Sequence, residues 1–113
     1  MKKQRVSEGG RVATPPKGLR PATRRWWRVL CREFDLEQHH LLLLEGCCRA
    51  WDRAEEAREL LDREGVTFTD RFGQRRLNPA ATVERDQRAA FARMLGQLGL
   101  DLEAGAPGRP AGR

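Results

Sequence analysis

Two groups of side chains in this sequence are of types that do chemistry, and both fail on spacing. His39-His40 with Cys47-Cys48 offers imidazoles and thiols, and His40 and Cys47 share a helix face, a combination zinc accepts. Zinc sites usually present their cysteines two to four residues apart, whereas adjacent cysteines point about 100° apart on a helix and cannot easily chelate one ion. Cys31, Cys47 and Cys48 therefore read as small hydrophobes, an odd set at no disulfide-framework spacing, as in a reducing cytosol. Glu55, Glu56 and Glu59 interleave with arginines as a solvated helix face does, not as a catalytic pair. The sequence has no glycine-rich loop ending in Lys-Ser/Thr, no GxSxG and no HExxH. No catalytic residue, metal site or cofactor is expected, and the chain does not read as an enzyme.

The remaining chemistry is phosphate binding. Between Met1 and Arg25 lie eight basic residues (Lys2, Lys3, Arg5, Arg11, Lys17, Arg20, Arg24 and Arg25) and one acid, Glu8, so this end carries +7 and the rest of the chain −1, making the net +6. Lysines and arginines separated by Gly and Pro suit sequence-independent contact with a polyanion, which needs charge and reach rather than shape. These eight are the expected DNA-binding residues. Arg71, Arg75 and Arg76 form a second basic cluster, open to two uses: contact with DNA or pairing with acids on a neighbouring copy. A membrane is not an expected partner, because the longest apolar run, Leu41 to Leu44, falls far short of the roughly 20 residues a span needs. The basic N-terminus also lacks the apolar stretch of a secretory signal.

The elements that must position these residues are mainly helical. At 113 residues the chain is at most one domain, rich in Ala, Leu, Glu and Arg and without Tyr. Residues 1–18 read as a disordered basic arm, with Gly9-Gly10, Pro15-Pro16 and only Val6 and Val12 as sizeable apolar side chains. A first helix occupies Leu19 to Phe34, with Pro21 in its first turn and Trp27, Leu30, Cys31 and Phe34 on one core face. Trp26 and Val29 flank that face, placing the Trp26-Trp27 pair in the core or at a subunit boundary. Asp35 with Gln38 predicts a capping-box start for a long second helix ending at Gly65 in a left-handed cap. Val66 to Thr69 and Arg75 to Leu77 alternate as strands around the Asp70 to Gln74 turn, where Gly73 takes a positive φ, giving a hairpin over 66–77. Two strands alone are marginal, so the hairpin is expected to lean on a helix or on a neighbour's hairpin. Asn78-Pro79 caps a third helix running to Leu98 and stopping at Gly99, and residues 102–113 read as a short disordered tail.

The second helix carries a near-heptad seam of mostly small residues, Leu43, Cys47, Ala50, Ala54, Ala57 and Leu61, flanked by Leu44, Cys48 and Trp51. A helix this long on so short a chain is expected to turn the seam toward other copies and form a homo-oligomer. Glu45 to Arg49, Glu59 to Arg63 and Glu84 to Arg88 are expected i, i+4 pairs on the outer faces. A helix-turn-helix from the first two helices, with Arg24, Arg25 and Arg28 decorating the first, conflicts with the length and apolar middle of the second.

The order of these parts resembles a known family. A tryptophan-bearing first helix is followed by a long second helix ending Asp62-Arg63-Glu64-Gly65-Val66-Thr67, then a loop ending at Gly73. Arg76-Leu77-Asn78-Pro79 and a third helix closing Leu95-Gly96-Gln97-Leu98-Gly99-Leu100-Asp101 complete the pattern. The whole, from about Leu19 to Asp101, resembles the small terminase subunit of tailed bacteriophages, in the subgroup built from helices around a hairpin. It departs after the Leu-Gly-Leu ending, where Leu102-Glu103-Ala104-Gly105 precedes any proline or arginine. The resemblance implies a non-enzymatic DNA-packaging factor in the cytoplasm of the bacterial host. Such a factor forms a homo-oligomeric ring, recognises double-stranded viral DNA and regulates a separate large subunit that holds the ATPase and nuclease. From the residues alone, the alternative is a small helical DNA-binding regulator or nucleoid-type protein acting as a dimer.

Overall fold

A computed structural model of the chain describes residues 13–100. The element order is α1 (Pro21–Glu33), α2 (Gln38–Glu64), β1 (Thr67–Thr69), β2 (Arg75–Leu77) and α3 (Pro79–Leu98). The chain is thus mainly α, three helices with a two-stranded antiparallel hairpin between the second and third, as the sequence predicts. Strand register pairs Thr67 with Leu77, Phe68 with Arg76 and Thr69 with Arg75.

The helix boundaries follow from local chemistry. Pro21 opens α1, and Asn78 caps α3 by accepting the Ala80 N–H at 3.0 Å. The start of α2 differs from the expected Asp35/Gln38 box: Glu37 is the N-cap, and the N3 residue His40 returns the bond, its Nδ1 accepting the Glu37 N–H at 3.1 Å. A neutral imidazole can serve as the returning acceptor as a Glu or Gln would, which moves the box two residues along. Gly65 ends α2 with φ 91° and ψ 161°, a positive φ but an extended exit rather than the expected left-handed cap. That exit launches the chain straight into β1.

α3 returns antiparallel along α2, and this corrects the reading of the seam. Cys47, Ala50, Ala54, Ala57 and Leu61 are buried, while Leu43 and Trp51 are partly buried against the same core. Their small side chains admit α3 and α1 of the same chain instead of another copy. At 27 residues α2 spans about 40 Å, and the 20 residues of α3 span about 30 Å. α3 is therefore long enough to cover most of the stripe. Gly46 of α2 leaves room for Met94 of α3: a Cβ there would meet the Met94 sulfur at 2.7 Å.

α1 lies across the first half of α2, with Trp26, Trp27, Leu30, Cys31 and Phe34 all buried. Both tryptophans of the Trp26-Trp27 pair belong to this core. Phe91 of α3 is its pivot, 5.9 Å from the Trp26 ring and 5.0 Å from the Trp51 ring between centroids. Toward its C-terminal end α2 packs on the start of α3 through a smaller apolar cluster of Ala57, Leu61 and Ala80, while Asp52 and Glu59 bond to Thr23 and Arg20. Residues 13–18 run against these helices rather than being loose as the sequence predicts. The Trp27 indole N–H donates to the Ala13 carbonyl at 2.8 Å and the Arg49 guanidinium to the Lys17 carbonyl at 3.2 Å.

Candidate nucleic-acid interface

The outer face of α1 is built by the same period that buries its tryptophans. With Trp27, Leu30 and Phe34 turned inward, Arg25, Arg28 and Arg32 recur at i, i+3 and i+7 on the opposite side and are exposed. No carboxylate among the described residues pairs with any of them. Three unpaired guanidiniums one helical turn apart form a line of charge about 10 Å long, able to contact successive backbone phosphates.

The eight basic residues expected to bind DNA divide into groups. Lys2, Lys3, Arg5 and Arg11 lie outside the described residues. Lys17 is exposed beside the start of α1 and Arg25 stands on the α1 stripe. Arg20 and Arg24 are engaged within the fold. The Arg20 guanidinium pairs with Glu59, a bond that raises its pKa and holds the Glu59 carboxyl below its usual range. Arg24 donates to the Leu19 carbonyl at 2.6 Å. Glu59 therefore serves α1 rather than the expected Arg63, while Glu45–Arg49 and Glu84–Arg88 form as expected at 3.0 and 3.1 Å. Arg28 and Arg32 stand exposed on the α1 stripe in their place. Their signal is present in the sequence, as the basic positions facing away from the aromatic stripe.

The second basic cluster lies on the hairpin and is held by Asp70. That carboxylate accepts the Phe72 and Gln74 N–H groups and the Arg76 Nε, each at 2.9 Å. The Arg76 bond first, and the two backbone bonds with it, depress the Asp70 pKa. Arg75 reaches across the strands to the Thr67 hydroxyl at 2.7 Å, and Arg71 lies 5.0 Å from the centre of the Phe72 ring. Of the three arginines only Arg76 has a carboxylate partner among the described residues.

Glu45, Glu55, Glu59 and Asp62 of α2 are partners in ion pairs. Glu55 accepts from Arg88 at 2.8 Å, and Glu84 of α3 bridges Arg88 and Arg58. Burial works against the charge of Arg88, but its bonds to Glu55 and Glu84 prevail and raise its pKa. The thiols are packing groups. Burial pushes Cys31 up to about 11 and Cys47 up to about 12, and raises Cys48 further.

The sequence model of a family described as phage terminase, small subunit, matches residues 22–106. The chain belongs to that family. The match takes in all three helices, the hairpin and the Leu102 to Gly105 stretch where the ending departs from the usual pattern. Members of this family act in phage DNA packaging and are in general DNA-recognition components without catalysis of their own. For this family member neither the curated proteins nor the solved structures yield a match. Among the described residues no helix is long and apolar enough to cross a membrane.

Proposed function

We propose that this chain is the DNA-recognition subunit of a phage packaging terminase, without catalytic activity. It assembles as a homo-oligomeric ring, engages double-stranded viral DNA and works with a large subunit carrying the ATPase and nuclease in the host cytoplasm. The observation that carries the DNA reading is the unpaired arginine line of Arg25, Arg28 and Arg32 on α1. Lys17, exposed ahead of α1, and the sequence before Ala13, with Lys2, Lys3, Arg5 and Arg11, add further positive charge. One arm and one stripe bind weakly, but a ring presents many copies to one duplex, and effective concentration turns modest contacts into firm ones.

The test is the salt dependence of duplex binding. Deleting residues 1–11 removes four basic residues while leaving Ala13 to accept from Trp27. The slope of log affinity on log salt should fall by about 3 to 4 for each arm engaged. Replacing Arg25, Arg28 and Arg32 together by Ala should reduce it by about 3 for each stripe. An unchanged slope in both variants overturns the DNA reading. Light scattering after size exclusion tests the ring, and a monomeric mass at micromolar concentration overturns it.

A further inference from the structure

With the α2 seam covered by the chain's own helices, the large apolar side chains left exposed among the described residues, apart from Leu42 near the start of α2, lie on the hairpin and at its base. All six strand residues are exposed, so no strand side chain is buried against a helix of its own chain. Phe72 at the tip is 73% exposed, Leu77 54%, Val66 51% and Phe68 45%. Beside the hairpin base, where α1 no longer covers the α2–α3 pair, runs a groove of about 520 Å³. Ala57 and Leu60 of α2 and Pro79, Ala80 and Val83 of α3 form its apolar floor, with Arg53 and Glu56 at the rim. An apolar cavity of roughly 150 Å³ already accepts a benzene ring, so the groove takes a phenylalanine side chain.

We propose that the hairpin of one copy docks in the α2–α3 groove of the next, seating Phe72 between Leu60 and Val83. This deepens the ring reading above and rests on it. Charge selects a second copy of this chain as the occupant. Residues 67–77 carry Arg71, Arg75 and Arg76 against Asp70, a net of +2. Residues 53–64 of α2 carry Glu55, Glu56, Glu59, Asp62 and Glu64 against Arg53, Arg58 and Arg63; Glu55 and Glu59 are paired with Arg88 and Arg20 from outside the segment, and Glu56 and Glu64 are left as the acids without an ion-pair partner among the described residues. Arg71 and Arg75 have no carboxylate within their own chain among the described residues, and Glu56 at the rim has no cation.

The chain's own ends are poor occupants. Residues 101–113 begin beyond Leu100, at the far end of α3 from the groove, and offer one large apolar side chain, Leu102. The chain before Ala13, which packs against Trp27 and the first half of α2, offers only Met1, Val6 and Val12. Duplex DNA would use the arginines but leave Phe68, Phe72 and Leu77 without a counterpart. A projecting element entering a groove elsewhere on the next copy is a heterologous contact, the kind that closes into a ring when its rotation closes.

The experiment introduces Phe72→Cys and Val83→Cys at two exposed positions, singly and together, under mild oxidation. The native thiols are buried. The double variant should give a ladder of covalent multimers on a denaturing gel and each single variant none. Phe72→Asp should lower the assembly mass in light scattering with helix content unchanged by circular dichroism, and Arg71→Glu with Arg75→Glu should do the same. Dimers from Phe72→Cys alone, or no ladder from the double variant while the assembly keeps its mass, overturn the docking and leave the ring standing. Loss of DNA binding at unchanged mass in the double arginine variant assigns the hairpin to DNA and also overturns it. A wild-type chain that is monomeric overturns the ring reading itself.

Discussion

Asp52, buried near the middle of α2, holds Thr23 in the first turn of α1: its carboxylate accepts the Thr23 hydroxyl at 2.5 Å and the Arg20 backbone N–H at 2.9 Å. The N-cap residue Arg20 has no capping side chain of its own, so α1 is capped by a residue more than two dozen positions away in sequence. Replacing Asp52 by Ala strands two donors, at roughly 1 to 3 kcal/mol for each buried group left unpaired. Urea unfolding should show a loss of about 2 to 6 kcal/mol for Asp52→Ala. Thr23→Val, which strands no donor, should lose less. An Asp52→Ala variant as stable as the parent would contradict the capping role.

Arg88 lies 4.8 Å above the Trp51 ring centre while bonded to Glu55 and Glu84, so it acts as both packing group and charge. Arg88→Ala should cost about 1 to 3 kcal/mol, of which roughly 0.5 to 2 belongs to the cation above the indole. Arg88→Met keeps much of the packing and should recover part of the loss. Tryptophan fluorescence in chemical denaturation reads both variants directly.

The hairpin turn depends on one carboxylate. Because the folded Asp70 pKa lies below its ordinary 3.8, the turn's added stability is complete above that value and is lost as pH falls through the folded pKa. The Phe72 and Gln74 amide resonances should therefore hold constant from neutral pH down to about 4 and shift only below it. Asp70→Ala should speed hydrogen exchange at the hairpin and leave the α2–α3 pair protected.

The buried thiols predict alkaline sensitivity. A thiol ordinarily near 9 that is pushed up to about 11 at Cys31 and about 12 at Cys47 stays protonated in the fold and ionises in the unfolded chain. Stability is thus intact below pH 9 and declines as pH rises toward 11 to 12. The sequence has no tyrosine and its lysines are Lys2, Lys3 and Lys17, so few other groups titrate in that window. Thermal midpoints should fall across it, and replacing Cys47 and Cys48 by Ala should flatten the fall while lowering the neutral-pH midpoint. Iodoacetamide at pH 8 should leave all three cysteines unmodified until the chain unfolds.

What the sequence determined by itself was local. Asn78-Pro79 starts a helix whatever surrounds it, because the cap closes on an N–H two residues on. Gly73 at φ 79° occupies a turn position where side chains are disfavoured, and the α1 period separates tryptophans from arginines within one helix. The family was legible for the same reason, since the helix exit, turn and cap occur in fixed order along the chain. The tertiary structure decided which partner each face meets. Periodicity marks the Cys47 to Leu61 seam as buried but does not say whether α3 or another copy buries it. The ion pair that removes Arg20 from the basic set joins α1 to Glu59, and the cap on α1 comes from Asp52, neither of which local sequence can name. The hairpin shows the same division. Its strands and turn follow from neighbouring residues, whereas the exposure of Phe68 and Phe72 depends on α1 stopping short of the far end of α2 and covering nothing beyond it.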